Sequence, residues 1–131
     1  MEINLSGGEK RRILAELKYR FKYDGGYWIP FRNVPIDKEY VVVSDEIALK
    51  LTDKIEAYLK EQSKHFYLTG EVGYIEPHKT WLQKVDSIDL NYGPVEFVYF
   101  DDSFDWLIYI SHENTVTFCG EHLVKFIKEN C

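Results

Sequence analysis

The fold of this chain is decided by residues 95–118, which read VEFVYFDDSFDWLIYISHENTVTF. Three runs within it, at 95–100, 105–111 and 115–118, are rich in the aromatic and β-branched residues that favour strands. Short polar loops separate these runs, and loops this short cannot hold the crossover that parallel strands need. The stretch therefore predicts an antiparallel meander at 95–118.

Outside this stretch, three segments have helical patterns. Ser6 and Glu9 have the spacing of a capping box, which predicts a helix over residues 8–22. Ser44 is suited to cap a second helix that ends near Gln62, and a closing helix is predicted after Gly120. The apolar positions that recur at helical spacing are Ile13, Leu14, Leu17, Phe21, Ile47, Leu51, Ile55, Leu59, Leu123, Val124 and Ile127.

Two more strands are predicted at 40–43 and 65–69, and Pro77 suits the first turn of a short helix. Trp81, Leu82 and Val85 fit one face of that short helix. Residues 1–131 are therefore expected to form a single globular domain of the α+β class. An antiparallel sheet with about three helices packed on one face is the predicted architecture.

The composition is that of a globular protein. Of the 131 residues, 45% are hydrophobic and 16% are aromatic, which argues against intrinsic disorder. No apolar run approaches the length of a membrane span. The first residues lack the basic and apolar regions of a signal peptide, which predicts a cytoplasmic protein with no membrane partner.

Charge is distributed unevenly along the chain. The net charge is −6, but residues 1–22 carry six basic and three acidic residues. Residues 85–124 contain eight acidic residues and no Lys or Arg. A field of one sign repels nucleic acid and attracts cationic partners. The charge pattern therefore predicts a cationic protein partner and no nucleic acid, although a solvated acidic surface that only aids solubility has the same pattern.

The acidic region also contains aromatic residues, which interfaces concentrate. Alternation along strand 105–111 predicts that Trp106, Ile108 and Ile110 face the core, and that Tyr109 faces the other way. Two acidic rims at opposite ends of the sheet are expected, joined by an exposed strand face that carries Glu96. The predicted partner-binding residues are Glu96, Asp101, Asp102, Asp105, Tyr109 and Glu113.

Two alternatives to a binding protein remain open. A small enzyme would use Cys119, which precedes a helix start that can lower a thiol pKa, or the histidines His112 and His122. A structural or self-associating domain would form a homodimer through an exposed sheet edge. Cys119 and Cys131 are expected to be free thiols, and Asp101-Asp102 is expected to form a turn. The spacing of His and Cys matches no zinc pattern, and no metal or cofactor is predicted.

Residues 97–120 contain a strand with Asp-Trp-Leu-Ile at 105–108, a polar turn with His112, and a second strand that ends at Gly120. This arrangement resembles a module of small, acidic, single-domain bacterial proteins, many of them uncharacterised. Some of these are grouped with the immunity proteins of polymorphic-toxin systems. The resemblance implies a non-enzymatic protein that neutralises a basic partner.

Overall fold

A computed structural model describes residues 3–4, 7–23, 28–70, 81–90, 96–111 and 113–131. The secondary structure elements are β1 (Ile3–Asn4), α1 (Gly7–Phe21), β2 (Tyr40–Ser44), α2 (Asp45–Lys60), β3 (Phe66–Gly70), β4 (Trp81–Val85), β5 (Phe97–Phe100), β6 (Leu107–Ile110), β7 (Thr115–Cys119) and α3 (Glu121–Asn130). No helix in these ranges is both long enough and apolar enough to cross a membrane.

The strands form one antiparallel sheet in the order β1-β4-β3-β5-β6-β7-β2. The predicted meander is confirmed for β5, β6 and β7, which are neighbours in the sheet as they are in the sequence. The rest of the sheet is not a meander. β2 lies at one edge beside β7, and α2 then carries the chain across to β3, which lies beside β5 on the side away from β6. The sheet therefore brings together chain segments that are distant in sequence.

The helices cover both faces of the sheet. Ile13, Leu17 and Phe21 of α1 belong to one buried cluster with Leu107 and Tyr109. The other face packs against α2 and α3, and its buried cluster includes Trp106, Ile108, Ile110, Ala48, Leu51, Ile55, Leu59, Leu123 and Ile127. Within the described ranges, the α+β class, the antiparallel sheet and three helices are confirmed, but the helices lie on two faces rather than the expected one. The physical reason is that β6 is apolar at every position and must bury both of its sides.

Residues 81–85 form a strand, not the predicted helix. β4 pairs with β3, and it places Leu82 in one buried cluster and Val85 in the other. In a segment this short, the spacing of three apolar residues fits a helix and a strand equally well, and the pairing with β3 decides between them. The predicted helix start at Pro77 lies outside the described residues.

Candidate functional site

Several turns and segment ends meet at one end of the sheet. β5 ends at Phe100 and β6 begins at Leu107, so the turn between them lies at this end. The backbone N–H of Gly120, which follows β7, donates to the carbonyl of Glu39, which precedes β2, at 2.9 Å. We call this region the acidic end and define it as residues 37–39, 62–65, 101–105 and 120–125.

Two open clefts lie at the acidic end, and Asp105 lines both of them. The turn cleft, of about 420 Å³, is lined by residues 62–65 and by Asp101, Asp102, Ser103 and Asp105. The helix cleft, of about 590 Å³, is lined by residues 37–39 and by Asp105, Gly120, Glu121, His122 and Lys125. Carboxylates outnumber ammonium groups in each lining, by three to one in the turn cleft and by four to two in the helix cleft.

Asp101 is buried and holds the turn in shape. Its residue is 4% exposed. Its carboxylate accepts hydrogen bonds from the hydroxyls of Ser63 and Ser103 and, at 2.9 Å, from the backbone N–H of Ser103. The structure therefore confirms Asp101 as a turn former, and its burial corrects the expectation that it lies on a contact surface.

Asp102 and Asp105 are the exposed carboxylates of this turn. The Asp102 side chain is 62% exposed, and a hydrogen bond from Tyr67 restricts its orientation. The Tyr67 hydroxyl donates to its Oδ1 at 2.6 Å, and His65 Nε2 lies 3.2 Å from its Oδ2. Burial, and next the hydrogen bond to Asp102, raise the pKa of Tyr67, so Tyr67 stays a donor at neutral pH. Asp102 is therefore a carboxylate that is both oriented and open to solvent.

Glu96 and Tyr109 are buried, which corrects the expectation of an exposed strand face. Glu96 is 1% exposed and Tyr109 is 0% exposed. The Tyr109 hydroxyl donates to a Glu96 carboxylate oxygen and accepts from the backbone N–H of Trp28 at 3.3 Å. Burial is the main cause that raises the pKa of Tyr109. This face is covered because α1 and the segment after it pack on it.

Glu113 is exposed at the opposite end of the sheet, in the loop between β6 and β7. Its backbone N–H donates to the Ser111 hydroxyl at 3.0 Å. The predicted separation of two acidic rims is confirmed, with Asp101, Asp102 and Asp105 at one end and Glu113 at the other. The rims are not joined by an exposed strand, so the two ends are separate surfaces.

The sequence reasoning missed three groups of residues at this site. Ser63, His65 and Tyr67 reach the turn because β3 pairs with β5 in a register that places Tyr67 opposite Phe100. The acids Asp37 and Glu39 reach it because β2 pairs with β7. Both pairings are long-range, and no local pattern indicates them. Glu121 does lie inside the cation-free region 85–124, so that charge pattern could have identified it.

The two described residues of the enzyme hypothesis, Cys119 and His122, do not form an activated thiol site. Cys119 is fully buried, and burial raises the pKa of its thiol to about 12, the opposite of an activated nucleophile. His122 Nδ1 lies 2.9 Å from the Tyr58 hydroxyl, while His112 lies outside the described residues. Within the described ranges, no group of three or more His, Cys, Asp or Glu could hold a metal ion.

The two cysteines are free thiols, as predicted, and they should differ sharply in reactivity. We expect a thiol reagent to label one cysteine rapidly in the native protein at pH 8 and two in denaturant, because only Cys131 is exposed. Mass spectrometry of the labelled peptides would identify the fast site. Rapid native labelling of Cys119 would contradict its burial and revive the thiol enzyme hypothesis.

No family model, no curated protein and no solved structure matches the chain. The resemblance of residues 97–120 to immunity proteins therefore stays a prediction.

Proposed function

We propose that this chain is a non-enzymatic, cytoplasmic binding protein of the immunity or inhibitor kind, which binds a basic protein partner through its acidic end. The observation that carries the proposal is the pair of adjoining clefts that share Asp105, each with more carboxylates than ammonium groups. Four separate segments of the chain supply the linings, so the charge is concentrated there by the fold and not by local sequence alone.

The exposed carboxylates suit a cationic partner for two physical reasons. A surface with one dominant sign attracts the opposite charge before contact and so speeds association. In addition, a carboxylate has about four lone-pair positions. The Tyr67 hydroxyl occupies one position on Asp102, which leaves acceptor capacity for an Arg or Lys of the partner.

The orientation of Asp102 should reduce the entropic cost of binding. An exposed carboxylate normally loses rotamer freedom when it forms an ion pair, and this loss makes many surface pairs weak. The hydrogen bond from the Tyr67 hydroxyl already restricts the Asp102 side chain before a partner arrives. Asp105 lies beside it, and its backbone N–H is held by the Ser103 hydroxyl at 3.1 Å.

The proposal is tested with an arginine-rich peptide as the probe and fluorescence anisotropy as the readout. We expect the triple variant D102N/D105N/E121Q to bind the peptide about tenfold more weakly at low salt, at roughly 0.5 kcal/mol for each lost charge pair. Binding to the parent protein should weaken steeply between 0.1 M and 1 M salt, because the Debye length falls from ~10 Å to ~3 Å.

The matched control is E46Q/D53N/E113Q, which makes the same change in net charge at exposed acids outside the acidic end. The control should weaken binding by less than about threefold, since it changes only the overall charge. Equal losses in the two triple variants would show that net charge alone attracts the peptide and would reject the acidic end as the site. For the immunity role, a toxin gene immediately upstream whose product forms a complex with this protein would support the proposal.

A further inference from the structure

A third groove, of about 330 Å³, adjoins the helix cleft. Asp37 and Lys38 line both of them, just as Asp105 lines both the helix cleft and the turn cleft. Neighbouring depressions therefore share lining residues, and we call the row of three the band. We call the third one the basic groove, because its lining contains Arg20, Lys22 and Lys38 against a single acid, Asp37.

The cations of the basic groove lie close to aromatic rings. Lys22 Nζ lies 5.3 Å from the centroid of the Tyr19 ring and donates to the Tyr19 carbonyl at 3.1 Å. Lys38 Nζ lies 5.3 Å from the centroid of the Phe21 ring. At these distances a cation is attracted to the ring face, so both ammonium groups have preferred positions. Tyr19 itself is 70% exposed, and it is the most exposed of the large hydrophobic residues in the described part of the chain.

Arg20 is partly neutralised, which makes the two lysines the main anion-binding groups. Its Nε lies 3.2 Å from Glu16 on the same helix. Within the described residues, neither Lys22 nor Lys38 forms an ion pair of this kind, and Asp37 is the single acid in the lining. A purely cationic partner that extended along the band would meet these like charges and be repelled.

We propose that the partner is bipolar, with a cationic segment that binds the acidic end and an adjacent carboxylate-bearing segment that binds the basic groove. This inference rests on the proposed function and adds an orientation to it. The charge along the band changes sign between the helix cleft and the basic groove, so the partner can dock in one direction only. Repulsion in the reversed direction, as well as attraction in the correct one, then contributes to specificity.

Three peptides of equal length serve as probes. The block peptide has arginines in one half and glutamates in the other. The alternating peptide has the same composition with the two residue types alternating. In the third peptide every glutamate is replaced by arginine, so that it contains no acidic residue. We expect the block peptide to bind at least about fivefold more tightly than the alternating peptide. A spin label on its glutamate end should broaden the amide signals of Tyr19 and Lys22, and a label on its arginine end should broaden those of Asp102 and Asp105.

The variant K22E should weaken the preference for the block peptide, whereas the control K50E on α2 should retain it. The milder variant K22Q should weaken the preference by a smaller factor, and it replaces K22E in the test if K22E does not fold. Equal affinity for the block and alternating peptides, with the arginine peptide still bound at the acidic end, would overturn the bipolar partner and leave the proposed function intact. Failure of every peptide to bind the acidic end would overturn both.

Discussion

Replacing Trp106 by Ala should lower the free energy of unfolding by about 3–5 kcal/mol, the usual cost of removing a buried Trp side chain. Trp106 is 0% exposed and belongs to the cluster between the sheet and the helices α2 and α3. Its ring meets that of Phe66 edge to face, with centroids 5.9 Å apart. Denaturant unfolding followed by circular dichroism would measure this loss. Because the whole free energy of unfolding of a domain is only about 5–15 kcal/mol, the variant should keep little net stability.

The substitution Trp106→Phe separates the volume of the side chain from its polar atom. The indole Nε1 of Trp106 is buried and has no hydrogen-bond partner among the described residues. Phe retains most of the packing and removes an N–H whose burial is unfavourable, so we expect it to cost less than half as much as Ala. An unchanged unfolding midpoint for Trp106→Ala would show that this side chain does not contribute to the core.

The sequence predicts the meander well because its signals are local. Strand-forming runs and short loops lie side by side at 95–118, and the structure places β5, β6 and β7 there. The two-sided burial of the sheet was indicated by the uninterrupted apolar run Leu107–Ile110, since a strand with one solvated face alternates polar and apolar residues. Alternation correctly places Tyr109 on the face opposite Trp106, but α1 covers that face, and the Tyr109 hydroxyl is satisfied inside the protein by Glu96 and Trp28.

The candidate site is less predictable because it depends on long-range pairing. Asp101, Asp102 and Asp105 could be placed together from the turn alone. His65 faces Asp102 only because β3 pairs antiparallel with β5, and the sequence does not specify which strands are neighbours. The same limit applies to Glu39, which reaches Gly120 through the pairing of β2 with β7. The positions of charged residues along the chain therefore indicate segments 101–105 and 120–125 of the acidic end, but not segments 37–39 and 62–65.

Replacing Gly120 by Ala should be the most damaging single-methyl change at the acidic end, at about 3 kcal/mol or more. Gly120 has a φ of 113°, a backbone conformation that residues with a side chain rarely adopt. A Cβ there would lie 2.3 Å from the Asp105 carbonyl oxygen and 3.0 Å from the Trp106 Cα. Both contacts are with backbone atoms, which cannot rotate away as a side chain can. The strand end, the turn and the start of α3 would all have to shift.

The control for this substitution is Gly8→Ala in α1. Apart from its chain neighbours and the backbone of its own helix, no described atom lies within 4 Å of a Cβ built at Gly8, and Ala is favoured over Gly in helices by up to about 1 kcal/mol. The same chemical change should therefore leave stability equal or slightly higher at Gly8 and reduce it strongly at Gly120, as measured by denaturant unfolding. Because the close approach of Gly120 to Asp105 joins the two clefts, Gly120→Ala protein that remains folded should also bind the arginine-rich peptide more weakly. Equal stability of the two alanine variants would contradict the tight backbone contact on which the shape of the acidic end depends.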